Sequence, residues 1–283
     1  MSRARPAGHQ ARKRFGQNFL HDKGVIERIV RAINPKGEDA VVEIGPGLGA
    51  LTGELLEAVP HLQVLEIDRD LVPILRTQFF NYPQLRIHQG DALRFDFRSI
   101  YDGRPLRVVG NLPYNISTPL IFRLLAQADV IGDMHFMLQK EVVDRLAAEP
   151  GSKDWGRLSI MTQYYCKVQP LFGVPPGAFR PQPKVDSAIV RLIPHQVLPH
   201  PAKDVKLLAT LVRTAFNARR KTLRKGLEQV VTDAQWEAVG LDKRLRPEQL
   251  SLADFVKLAD LLITDGGSDT EALAGADERR SEA

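Results

Sequence analysis

The chain has 283 residues, 43% hydrophobic and 26% charged, which fits one large domain with a smaller one, or two medium domains, of an ordinary globular protein. No run approaches the roughly 18 apolar residues of a membrane helix, and the basic start "MSRARPAGHQARKRF" lacks the apolar core of a secretory signal. Cys166 is the only cysteine and the seven histidines show no HxxxH or HxH spacing, so an internal disulfide and a cysteine-held zinc are excluded, and metal-free chemistry in a reducing cytoplasm is expected.

Taken in chain order, the basic cluster Arg3, Arg5, Arg12, Lys13 and Arg14 comes first. Asp22 then reads as an N-cap for the stripe Val25, Ile26, Ile29, Val30 and Ile33, a helix that ends before Pro35. "AVVEI" (40–44) reads as a buried strand, and Gly45, Gly47 and Gly49 follow it before the helical stripe Leu51, Leu55, Leu56 and Val59. Glycines between a strand and a helix let the backbone turn sharply and approach a ligand at the helix N-terminus. The second strand, "LQVLEI" (62–67), carries Glu66, 21 residues after Gly45, where a carboxylate accepts hydrogen bonds from ribose hydroxyls. The spacing is GxGxG rather than the dinucleotide fingerprint, and no GxxxxGK[ST] phosphate loop occurs. A nucleotide is expected; whether it carries nicotinamide, phosphates or a sulfonium methyl stays open.

Leu71, Val72, Ile74 and Leu75 mark the next helix, and "LRIH" (85–88) a third strand, after which Asp91 is placed either to accept from an adenine amino group or to cap a turn. "LRVVG" (106–110) runs into Asn111-Leu112-Pro113-Tyr114. Thr118-Pro119 then reads as an N-cap and first helical position, and "MHFMLQ" (134–139) and "SAIVRLI" (187–193) are further strands, the last with no crossover helix after it and so expected to pair antiparallel at the end of the sheet. Beyond a proline-rich linker only helical patterns remain, at about 203–218, 219–230, 233–240 and 248–263. They hold a second acid-free basic cluster: Arg213, Arg219, Arg220, Lys221, Arg224 and Lys225. The tail 264–283 carries six acidic and two basic residues, leaving residues 1–263 at +9 of an overall +5. Two basic clusters suit a polyanion partner, although each alone also suits a solubilising face. The whole predicts a doubly wound α/β sheet followed by a small all-helical domain.

Asn111 to Tyr114 decides the chemistry. A planar exocyclic amine is a poor nucleophile because its lone pair is delocalised into the ring, so attack on an electrophilic methyl needs that lone pair localised and aimed. Two acceptors on the amine's hydrogens achieve this: the Asn111 side-chain oxygen and a backbone carbonyl of Leu112-Pro113. Pro113 fixes the direction of that carbonyl, and Tyr114 can stack on the base.

With these motifs the sequence resembles the S-adenosylmethionine-dependent N6-adenine methyltransferases. Within them it is similar to the small-subunit branch of the ribosomal RNA adenine N6,N6-dimethyltransferase family. The resemblance runs from about Arg12 to Ala259 through "RKRFGQNFL", "VEIGPGLGALT", "LEIDRDL", "GNLPYNISTPLIF", "HFMLQKEVVDRL", "GRLSIMTQYY", "FRPQPKVDSAIVRL" and "AFNARRKTLRKGL". It implies a Rossmann-like S-adenosylmethionine-dependent methyltransferase sheet with a C-terminal helical domain. The segments are a basic 1–21 covering the cofactor, a catalytic 22–194, a linker 195–202, an RNA-binding 203–263 and a disordered acidic 264–283. Asn18 and Leu20 are implied to help cover the cofactor, Gly45 and Gly47 to hold its methionine side, Glu66 its ribose and Asp91 its adenine amino group. Asn111 sits between cofactor and target amine, Tyr114 against the target base, and Phe179 against the base's other face, a residue that would otherwise read as core. Arg219, Arg220, Lys221 and Arg224 are assigned to RNA. The implied partner is 16S rRNA in the 30S subunit or its precursor, bound by a cytoplasmic monomer, with adjacent adenosines in the hairpin loop near the 3′ end as substrate. Alternatives are a 23S rRNA methyltransferase of the macrolide-resistance type, a DNA adenine or protein-glutamine methyltransferase, and an assembly factor whose catalysis is secondary. A nicotinamide-dependent oxidoreductase leaves Asn111 to Tyr114 unexplained.

Overall fold

A computed structural model describes residues 17–264; the first basic cluster and the acidic tail lie outside them. The described chain forms two units, residues 17–144 with 166–194 and residues 145–165 with 195–264.

The first unit is built on a seven-stranded sheet. Its strands are β2 (Ala40–Ile44), β3 (Gln63–Glu66), β4 (Arg86–Gln89), β5 (Leu106–Asn111), β6 (Ile131–Gln139), β7 (Cys166–Val174) and β9 (Ser187–Pro194), in the order β4-β3-β2-β5-β6-β9-β7. A separate two-stranded ribbon pairs β1 (Phe19–Leu20) antiparallel with β8 (Phe179–Arg180). From β4 to β6 all pairings are parallel, so crossover connections are required. Three of the four crossovers are α2 (Ala50–Ala58), α3 (Leu71–Gln78) and α4 (Ser117–Leu125), the β4 to β5 connection carries only a 3-10 turn at Phe97–Ile100, and α1 (Lys23–Ile33) precedes the sheet. Asp22 caps α1 as expected, its carboxylate accepting from the Val25 N–H at 3.0 Å. All five residues of β2 are buried, as a central strand covered on both faces must be. Between β2 and β5 the backbones meet so closely at Gly110 that a Cβ there would stand 2.5 Å from the Ile44 carbonyl oxygen.

Two expectations are corrected in this unit, and one strand is added to them. β9 is antiparallel but does not end the sheet, because β7 adds outside it. β7 escapes sequence reading since its burial lacks alternation and it contains Pro170, tolerated at an edge beside the register shift at Pro170/Phe172. Helix α4 begins at Ser117, with Ile116 at the cap and no side-chain cap bond, so Thr118 and Pro119 fall inside its first turn. The turn closed by the Ile116 N–H on the Pro113 carbonyl sets that start.

Residues 145–165, including α6 (Arg157–Tyr165), belong to the second unit, although the sequence assigns them to the sheet domain. The Trp155 Nε1–H donates to the Leu250 carbonyl at 2.8 Å, and the Tyr164 hydroxyl accepts from the Ala202 N–H; α5 (Lys140–Leu146) runs across the boundary. The remaining helices are α7 (Val205–Asn217), α8 (Leu223–Gly226), α9 (Asp233–Val239) and α10 (Leu252–Thr264). The helix expected over 219–230 is thus only α8. The Leu223 and Arg224 N–H groups are drawn to the carbonyls of Leu245 and Lys243, and a turn on Ala218 ends α7.

Candidate functional site

A cavity of about 1180 Å³, counting space open to solvent, lies in the first unit at the carboxyl ends of β2 to β6, the edge where parallel sheets bind ligands. Its first wall is the glycine turn. Gly45 and Gly47 have φ of +67° and +57°, the left-handed region that favours glycine. A Cβ on Gly47 would also come within 3.1 Å of the Phe19 ring, so glycine lets the N-terminal segment close against the turn. Glu66 is 3% exposed. Its Oε2 accepts from the Gly47 N–H at 3.2 Å and its Oε1 from the Asp68 N–H at 2.8 Å. Burial raises its pKa, while those amide donors pull it back. The carboxylate is thus locked to the turn, with lone pairs remaining for hydroxyl donors.

Asp91 lines the cavity past β4 and also caps a turn, its Oδ1 accepting from the Leu93 N–H at 2.9 Å. Both sequence readings of Asp91 are compatible with that position. Between the two acids, Ile67 lines the cavity and is half exposed, an apolar face of the sort an aromatic base covers.

Asn111 ends β5, and its Nδ2–H donates to the Asn18 carbonyl at 2.9 Å. That bond fixes which end of the amide is the donor and leaves Oδ1 as the acceptor end of a cavity-lining side chain. Of the neighbouring carbonyls, Pro113 O is engaged by the Ile116 N–H, whereas the Leu112 N–H is held by Met137 O at 3.2 Å. With Pro113 O already engaged, Leu112 O is the carbonyl of the pair left to serve as the second acceptor. The Tyr114 hydroxyl is bonded to the buried Ser187 Oγ at 2.6 Å, and burial raises its pKa.

Asn18 and Leu20 line the same cavity. Phe179 does not. Its ring is 1% exposed, in the apolar cluster with Leu20, Val174, Ala178 and Ile189, and its backbone pairs with Leu20. Phe179, which the resemblance sets against the target base, packs here beside Leu20 in the apolar cluster, where an aromatic ring excluded from water gains from its contacts.

Sequence reading missed two buried polar residues of the cavity. Glu43 is 2% exposed, with Thr52 Oγ1 donating to its Oε2 at 2.6 Å; burial pushes its pKa up to about 8 against the Thr52 bond, and the Glu66 charge adds to the rise. His135 is 3% exposed on β6. An acid inside an otherwise apolar strand was the available signal for Glu43; nothing in the sequence marked His135.

In the second unit, Arg219, Arg220, Lys221, Arg224 and Lys225 are all exposed, around the end of α7 and in α8. Arg219 donates to the Lys153 carbonyl and Arg224 to Asp233 at 3.0 Å. Among the described residues, no group of His, Cys, Asp or Glu is arranged to hold a metal ion, and no helix is long and apolar enough to cross a membrane.

The chain is similar to a solved dimethyladenosine transferase from Plasmodium falciparum (28% identity, TM-score 0.71, covering 84% of this chain and 95% of that one). It is also similar to the 23S rRNA methyltransferase ErmE (25% identity, TM-score 0.68, covering 87% and 99%). Sheet, glycine turn and strand-end acids thus define a Rossmann-like methyltransferase of the RNA-modifying class. The family model described as "Ribosomal RNA adenine dimethylase" matches residues 8–264, and the chain belongs to that family. Its relatives include the ribosomal RNA small subunit methyltransferase A of Marinobacter nauticus, 70% identical over 92% of this chain and 94% of that one. The protein of the same name from Pseudomonas fluorescens (strain Pf0-1) is 63% identical over 93% and 97%.

Proposed function

We propose that the protein transfers methyl groups from S-adenosylmethionine to N6 of two adjacent adenosines in the loop of the hairpin near the 3′ end of 16S rRNA, giving N6,N6-dimethyladenosine. It would act as a cytoplasmic monomer on the 30S subunit or its precursor, during small-subunit biogenesis. The observation that carries this reading is the amide of the cavity-lining Asn111, whose donor end is fixed on the Asn18 carbonyl so that Oδ1 is left as acceptor.

The cavity residues fit the cofactor. The positive-φ glycine turn gives backbone access, the turn-locked Glu66 offers lone pairs to ribose hydroxyls, and Ile67 with Asp91 offers an apolar face and an acceptor to adenine. Asn18 and Leu20 supply the cover. When bound, S-adenosylmethionine supplies an electrophilic methyl.

The chain's own residues handle the target amine. Asn111 Oδ1 and Leu112 O each accept one N6–H, drawing the nitrogen lone pair out of conjugation and toward the cofactor side. Tyr114, anchored through Ser187, presents its ring to the base. No strong base is required, because the nitrogen becomes acidic as its new N–C bond forms and its proton passes to water. An unpaired loop suits this site, since its bases enter a pocket at low unstacking cost. Arg219, Arg220, Lys221 and Arg224 take phosphates outside the pocket.

The test supplies methyl-labelled S-adenosylmethionine with small subunits lacking the modification, large subunits and DNA in parallel. Label is expected in small-subunit RNA; label confined to large-subunit RNA or DNA contradicts the proposal.

A further inference from the structure

Several buried side-chain polar atoms lack a hydrogen-bond partner among the described residues, and His135 is the one side chain among them that lines the cavity. Both of its ring nitrogens are without such a bond. A buried polar group left in this state costs stability unless something that enters the site satisfies it.

The surroundings fix what would satisfy it. Burial pushes the imidazole pKa down to about 4, against the pull of Asp133. The ring is therefore neutral at physiological pH, with one donor and one acceptor nitrogen. Nδ1 lies 3.9 Å from Asp133 Oδ2. Asp133 is held ionised by Arg107 and Arg191, at 2.9 and 2.8 Å, and Arg107 is also paired with Asp39. A carboxylate on that side draws the ring proton to Nδ1, which leaves the lone pair of Nε2 for the cavity. The two arginines are matched by two aspartates, so no net positive charge stands behind the ring.

Register gives the depth. Glu43, Val109 and His135 are paired across β2, β5 and β6 and so share one face of the sheet. Their row lies two residues, roughly 6.6 Å, below the row of Asn111 and Met137. The floor of the cavity thus offers, at Nε2, a neutral imidazole acceptor that calls for a hydrogen-bond donor. An anionic carboxylate would meet the Nε2 lone pair, and in the reading above the adenine lies at the other end of the cofactor, with Ile67 and Asp91.

We propose that His135 is a cofactor-positioning residue that accepts, at Nε2, a hydrogen bond from the α-ammonium group of the cofactor's methionine moiety. This rests on the S-adenosylmethionine reading above. The test is calorimetric binding of S-adenosylhomocysteine, which carries that ammonium, and of 5′-methylthioadenosine, which lacks the whole amino-acid end. In His135→Asn the amide sits at the Nδ1 position and cannot replace the Nε2 acceptor; in His135→Gln an amide oxygen can. His135→Asn is expected to bind S-adenosylhomocysteine about tenfold more weakly with 5′-methylthioadenosine unchanged, and His135→Gln to recover most of the loss. Unchanged 5′-methylthioadenosine affinity also reports an intact fold. Equal losses for both ligands, or no loss for either, would overturn the proposal while leaving the cofactor reading standing. Wild-type protein that binds neither ligand would overturn both.

Discussion

Glu43 and Glu66 are buried carboxyls that line one cavity with different donors on their oxygens. Glu66 keeps two backbone donors on its oxygens, whereas Glu43 has only the Thr52 hydroxyl. Glu43 rises from its ordinary 4.5 to about 8, so between those values the folded protein binds a proton that the unfolded chain does not. Stability from this group is therefore full below about pH 4.5, falls as pH rises and levels off above about 8. Glu43→Gln removes that dependence. In thermal melts the variant is expected to gain roughly 3–6 °C on wild type between pH 5 and 8; a difference that stays constant with pH would show that Glu43 is ionised in the fold. Glu66→Ala strips the acceptor from the Gly47 and Asp68 amides, and calorimetry should show S-adenosylhomocysteine affinity reduced on the order of tenfold or more.

At the scale of elements, the ribbon of β1 and β8 separates two roles for Phe179. Its ring packs with Leu20 in the apolar cluster, so Phe179→Ala should destabilise the protein by about 3 kcal/mol or more in denaturant titrations, while Phe179→Leu restores most of that and retains methyl transfer. A leucine variant that is fully stable yet inactive would return the ring to the target base. The strands of the parallel sheet were legible because each is a short apolar run stopped by glycine, acid or proline, and the same stops placed Glu66, Asp91 and Asn111 at the cavity. What escaped has physical causes. β7 is an edge strand whose exposed residues and Pro170 hide any period. Residues 219–222 carry helical composition, but long-range backbone bonds from Leu223 and Arg224 reshape the segment. His135 looks like any residue of an apolar strand until the pairing shows Asp133 and Arg191 beside it.

For the whole molecule, the proposed function divides the work between a sheet unit that aims an amine and a helical unit whose exposed basic residues hold phosphates. Reversing charge at Arg220 and Lys221, both exposed, should weaken RNA binding with cofactor affinity unchanged. The slope of log affinity against log salt should become shallower by about 0.7–0.9 for each phosphate that is no longer neutralised. An unaltered slope would make that face a solubilising one. The central claim is that Asn111 aims an adenine amine of small-subunit RNA at a methyl donor. Its most direct test is mass spectrometry of RNA from unmodified small subunits incubated with S-adenosylmethionine and either wild-type protein or Asn111→Ala, with cofactor affinity measured on both. Wild type should yield N6,N6-dimethyladenosine on two adjacent adenosines, and the variant should fall by on the order of 100-fold or more while binding cofactor within a few-fold of wild type. Full dimethylation by Asn111→Ala, or none by wild-type protein, would contradict the account.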